Sequence, residues 1–165
     1  FWADKKPGNI SRSVILKGNM NTKVMQYSCK IIETREEMMA LSPLLRQLNV
    51  TLTDEYIEAC LEDMIAHGYR MAVVYDGDQC VGLSGVWVTT KFYSVKYLEM
   101  DNVVVDEAYR SRGIGSILSE FVTALARAEG CVTIMLDAWL TNEKAHAFYE
   151  RQGFVKRGFH FLKSL

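Results

Sequence analysis

Three apolar patterns divide the chain. Alternating or short continuous apolar runs predict strands at Tyr27–Glu33, Met71–Tyr75, Cys80–Thr89, Lys96–Val105, Cys131–Ala138 and Phe154–Leu162. Apolar residues three and four apart predict helices. Met38, Met39, Leu41, Leu44, Leu45 and Leu48 form such a stripe over Glu36–Leu48, interrupted by Ser42-Pro43. Thr53 caps a second helix with Ile57, Cys60, Leu61, Met64 and Ile65 on one face, and Gly68 stops it. Ile114, Ile117, Leu118, Phe121, Val122 and Leu125 mark a long third helix ending at Gly130. Thr141 is placed to cap a fourth, Asn142 to about Gln152, which Gly153 ends. Asp76-Gly77-Asp78 reads as a hairpin turn. The order β-α-α-β-β-β-α-β-α-β is that of one mixed α/β sheet flanked by helices. Residues 1–24 have no sustained periodicity and read as an N-terminal extension to a single domain over residues 25–165.

The most informative stretch is Leu98–Ser116, LEMDNVVVDEAYRSRGIGS. Val103, Val104 and Val105 suit a strand buried on both faces. After them, Arg110-Ser111-Arg112-Gly113-Ile114-Gly115-Ser116 opens the long amphipathic helix. Two glycines there let backbone approach a ligand closely. The free N–H groups of the first helical turn, with the helix dipole, favour an anion. Arg110 and Arg112 add positive charge. The chemistry is that of a phosphate cradle made mostly of backbone. Neither GxxxxGK[ST] nor a full GxGxxG occurs in the sequence; the pattern is R-x-x-G-x-G after a valine-rich strand.

Composition narrows the class. The 165 residues include 49% hydrophobic and 24% charged residues, in the range of a globular domain. A net charge of −1 gives no basic field for nucleic acid or an acidic membrane surface. No apolar run reaches the roughly 20 residues of a membrane span. Cys29, Cys60, Cys80 and Cys131 form no CxxC pair. They read as free thiols in a reducing cytoplasm, with no metal site.

Two separated segments resemble one family. VVVDEAYRSRGIGS looks like the acyl-CoA pyrophosphate loop of the GNAT N-acetyltransferases, and Asn142–Phe154 looks like their second signature, N-x-x-A-x-x-F-Y-x-x-x-G-F. The order and separation of the two also match. The resemblance implies a mixed, mostly antiparallel sheet of about six or seven strands with about four helices. It implies a splay between the fourth and fifth predicted strands, Lys96–Val105 and Cys131–Ala138. It implies acetyl-CoA as donor. The pyrophosphate would lie on Arg110, Ser111, Arg112, Gly113, Ile114, Gly115 and Ser116, and the pantetheine along Val103, Val104 and Val105. Asn142, Ala145, Phe148 and Tyr149 would lie on the cofactor's far side.

Acetyl transfer to an amine needs a proton acceptor, because a free alkylamine has a pKa of about 10.4. It also needs donors for a developing oxyanion, and a backbone N–H near Val103 or Val104 is placed for that. A proton donor helps the thiolate leave. The resemblance puts Tyr149 near the cofactor sulfur as that acid. Glu99 precedes Arg112 by thirteen residues, similar to the glutamate base of the family's histone-acetylating branch. Asp101 shares its strand face unless a bulge intervenes. A water relay to either carboxylate stays open. The resemblance implies that the first two helices wall the acceptor site, where Asp54, Glu55, Glu58, Glu62 and Asp63 of the second would suit a small cationic amine or an exposed amino group, the alternative being a solvated acidic face. Tyr69, Trp87, Phe92, Tyr93 and Trp139 are candidate pocket aromatics. A protein N-terminus or lysine is an alternative acceptor, and a non-catalytic acyl-CoA-binding module is an alternative of another class. An edge strand near the C-terminus is the candidate for homodimer pairing.

Overall fold

The computed structural model describes residues 12–16 and 25–165. The rest of the proposed 1–24 extension lies outside the described residues. Two compact units divide the chain, the first running to Met135 and the second from Leu136 to Leu165.

The first unit is built on a sheet. The strands of that sheet are β1 (Arg12–Leu16), β2 (Met25–Ile32), β3 (Arg70–Asp76), β4 (Gln79–Lys91), β5 (Val95–Val105) and β6 (Thr133–Leu136, whose last residue opens the second unit), in the spatial order of the chain. β1 to β5 pair antiparallel throughout. β1 falls where the apolar pattern predicts no element. The expected hairpin forms at Gly77, whose φ of 59° glycine adopts without strain. β6 is four residues long beside the eleven of β5, so it covers only part of that edge. Val132 N–H enters the sheet on Lys96 C=O at 2.8 Å.

Helices lie on both faces of the sheet. On one face are α1 (Arg35–Met39), α2 (Ser42–Leu45) and α3 (Asp54–Ala66). The single helix expected over Glu36–Leu48 is therefore two. Pro43 lacks the N–H that would continue α1 and instead sits in the first turn of α2. Met38, Leu44, Leu45, Ile57 and Leu61 pack with Tyr69, just before β3, and with Met71, Val73, Leu83 and Val104 of the sheet. Thr53 caps α3 by accepting from Tyr56 N–H. On the other face α4 (Ile114–Ala128) crosses β3, β4 and β5. The whole stripe from Ile114 to Leu125 is buried, as its spacing requires.

The second unit holds α5 (Glu143–Arg151). Asn142, not Thr141, is its cap: Oδ1 accepts from Ala145 N–H at 3.1 Å. The strand expected over Phe154–Leu162 does not form. That segment has no regular structure, and Phe159, Phe161 and Leu162 are exposed. Alternation there is not matched by a paired strand, and a lone extended segment has no ladder to hold it.

Candidate active site

The end of β5 is irregular, and the irregularity sets the site. Leu83 pairs with Val104, but Gly85 pairs with Asp101. Asn102 and Val103 thus stand opposite Ser84 alone, a β-bulge, with Asn102 at φ 49°. Ser84 is fully buried; its hydroxyl donates to Gly85 C=O at 2.8 Å and lies 3.4 Å from Asp101 C=O. A bulge turns local backbone N–H groups away from the ladder, which frees them for a ligand.

The bulge follows both candidate carboxylates and so leaves their parity intact. Glu99 pairs with Trp87 and Asp101 with Gly85, so both carboxylates stand on the face covered by α1–α3. Both are half-buried. Tyr97 shares the face and its hydroxyl lies 3.3 Å from Glu99 Oε2. The Lys91 ammonium sits 4.8 Å from the Tyr97 ring centre. Tyr69 stacks against Trp87 at 5.0 Å and is buried. A Cβ on Gly85 would lie 2.2 Å from the Tyr69 hydroxyl, so only glycine admits this tyrosine. Burial first, and the Asp101 charge second, push the Tyr69 pKa up, against a smaller downward effect of Asn102. Phe92 and Tyr93 are exposed at the β4–β5 turn, and Trp139 is exposed in the second unit.

The candidate cradle follows β5. A 3-10 turn, Glu107–Tyr109, leads from β5 to Arg110. Ser111 and Gly113 both take left-handed backbone, at φ 61° and 82°. Ile117 N–H makes the first α4 bond, to Gly113 C=O at 3.1 Å. The N–H groups of Ile114 and Gly115 precede that ladder. Arg112 stacks on Tyr109 at 4.9 Å, and Arg110 lies 3.5 Å from Glu107 at the surface. Gly82 brings α4 against the sheet, since a Cβ there would meet Ile114 Cγ2 at 2.8 Å. Open backbone donors, positive side chains and glycine fit a pyrophosphate.

In the second unit, Ala145, Phe148 and Tyr149 are half-buried and Asn142 is exposed. Tyr149 packs edge-on to Phe148 at 5.2 Å and to Phe154 at 5.6 Å. Burial raises its pKa, which keeps the phenol protonated beyond the usual tyrosine range.

Sequence reasoning misses Gln47. Its side chain donates to Asp106 Oδ2 at 3.2 Å and accepts from Glu107 N–H at 3.0 Å. No local pattern relates residues 60 apart. The acidic row on α3 is partly paired. Asp54 pairs with Arg46, Glu58 with Arg35 at 3.3 Å, and Asp63 with His67 at 3.6 Å. Among the described residues no helix is long and apolar enough to cross a membrane.

Known proteins resemble this chain in sequence and in fold. Residues 36–154 match the model of the Acetyltransferase (GNAT) family. A probable glucosamine 6-phosphate N-acetyltransferase 2 of Oryza sativa subsp. japonica is 28% identical over 82% of this chain and 88% of its own. The crystal structure of glucosamine-6-phosphate N-acetyltransferase from Arabidopsis thaliana is 25% identical over 82% of this chain and 97% of its own, with a TM-score of 0.63. An aminoglycoside acetyltransferase from a soil metagenomic sample, in complex with sisomicin, shares the fold at 16% identity. It covers 84% of this chain and 96% of its own, with a TM-score of 0.71. With the family match spanning most of the chain and both signatures present, the protein belongs to the GNAT acetyltransferase family and is an acyltransferase.

Proposed function

We propose that this chain transfers the acetyl group of acetyl-CoA directly to a primary amine on a small molecule. The observation that carries the reading is the β5 end. Two half-buried carboxylates, a bulge and a backbone anion cradle follow one another within Glu99–Ser116. Bound acetyl-CoA supplies an activated thioester. Arg110 and the N–H groups of Arg112–Ser116 would hold its pyrophosphate, and Val103–Val105 would hold its pantetheine. Glu99 takes the proton of the acceptor amine, directly or through water, with Asp101 as the second carboxylate. A backbone N–H near Val103 or Val104 donates to the carbonyl oxygen as charge develops there. By its resemblance to the family's second signature, Tyr149 is the acid for the leaving thiolate, and burial keeps its phenol protonated until then.

The acceptor is an amine that a carboxylate pair attracts. Two acidic residues of α3, Asp54 and Glu58, already have arginine partners, and the attraction is assigned to Glu99 and Asp101. Relatives named for glucosamine 6-phosphate support amino sugars as the first acceptors to try. The test is thiol release from acetyl-CoA over a panel of amino sugars and their phosphates, aminoglycosides, polyamines, neutral amines and lysine peptides. Release with one small-amine class is expected. Release with peptides alone moves the acceptor to protein. No release with any amine, from a chain that binds acetyl-CoA, leaves a binding module.

A further inference from the structure

We infer that Gln47 is a positioning residue that holds the pyrophosphate cradle in its binding shape. The inference rests on the reading of Arg110–Ser116 as the pyrophosphate site. The cradle contains two left-handed residues, and one, Ser111, is not glycine. Left-handed backbone at a side-chain-bearing residue is unfavourable by itself, so neighbouring structure must hold it. The downstream end is held by Ile114, seated on β4 in the notch left by Gly82. The upstream end is the 3-10 turn at Glu107–Tyr109.

Gln47 grips that turn from another part of the chain. It follows α2, whose Leu44 and Leu45 are buried in the core. Its Nε2 donates to Asp106 Oδ2 and its Oε1 accepts from Glu107 N–H. The other Asp106 oxygen, Oδ1, accepts from Ala108 N–H at 2.9 Å, and Asp106 N–H donates to Val81 C=O at 3.0 Å. Asp106 and Gln47 therefore fix the direction in which the chain leaves β5. The task needs one donor and one acceptor on a single planar group. Among side chains, only a carboxamide supplies both in that geometry. A glutamate at 47 still accepts from Glu107 N–H but turns a second carboxylate on Asp106. A methionine keeps the length and loses both bonds.

The test compares CoA affinity by calorimetry in the full chain, the Gln47→Met and Gln47→Glu variants, and the double variant Gln47→Glu/Asp106→Asn. The double variant restores complementarity: the amide introduced at position 106 donates to the new carboxylate, and its oxygen still accepts from Ala108 N–H. CoA affinity is expected to fall about tenfold in Gln47→Met and by at least as much in Gln47→Glu. The double variant should return to within about threefold of the parent. A side chain that only stabilises the fold would lower the melting temperature and leave affinity untouched below it. Unchanged CoA affinity in both single variants overturns the inference, as does a double variant no better than Gln47→Glu. If the parent chain itself fails to bind CoA, the cradle reading falls and takes this one with it. A parent that binds, with variants that bind equally, removes Gln47 alone.

Discussion

Replacing Gly82 with alanine should damage CoA binding by pushing on the first residue of α4. The new Cβ would lie 2.8 Å from Ile114 Cγ2 and 3.4 Å from Val104 C=O. Ordinary carbon contacts sit at about 3.5–4.0 Å, so Ile114 must move by about 1 Å. Ile114 is the first residue of α4, and its N–H belongs to the cradle. A donor displaced by about 1 Å turns a hydrogen bond of about 2.9 Å into no bond at all. Overpacking of this kind costs about 1–3 kcal/mol of stability. Losing one or two charge-assisted bonds to pyrophosphate should weaken CoA binding by about ten- to a hundredfold. The assay pairs denaturant unfolding with calorimetric titration for Gly82→Ala, Ile114→Ala and the double variant. Removing Cγ2 relieves the clash, so the double variant should be more stable than the sum of its parts. Additive stabilities together with unchanged CoA affinity would refute the argument that Gly82 seats the cradle.

Three further outcomes follow from the same geometry. Tyr149→Phe should cut the acetyl-transfer rate by about a hundredfold while CoA affinity holds; a near-parental rate removes Tyr149 as the acid. In the pH–rate profile, Glu99→Gln should abolish the acidic limb, and a limb that persists shifts the base to Asp101 or a water on it. Tyr69 has its pKa raised by burial, so folding holds its proton more tightly than the unfolded chain does. The stability this contributes is complete below about pH 10 and is lost as pH rises toward the folded value. Alkaline unfolding curves of Tyr69→Phe should accordingly be flatter than those of the parent.

What is legible in the sequence is what depends on local spacing. The stripe from Ile114 to Leu125 fixes α4 because a helix repeats every few residues, and Gly113 and Gly115 mark where it begins. The Asp76-Gly77-Asp78 hairpin is equally local. Both carboxylates fall on the expected face because the bulge comes after them, at Asn102 and Val103; no residue pattern marks its position in advance. β1 escapes a sequence reading because RSVIL carries too short a pattern to stand alone and takes its register from β2. The converse error occurs at Phe154–Leu162, whose aromatic alternation suggests a strand that no pairing completes. The roles of Gly82, Gly85 and Gln47 are invisible in the sequence because each depends on a partner distant along the chain: Ile114, Tyr69 and Asp106. A glycine in a strand shows only that something comes close, not what.

The measurement that bears most directly on the account is calorimetric titration of the purified chain with acetyl-CoA and, separately, with CoA. The account predicts stoichiometric binding of both. Mutation of Gly113 or Gly115 to valine should abolish it, because a branched side chain fills the cradle and Gly113 needs its left-handed backbone. No binding of either ligand to the intact, folded chain would contradict the cradle at Arg110–Ser116 and the acetyl-transfer reading built on it.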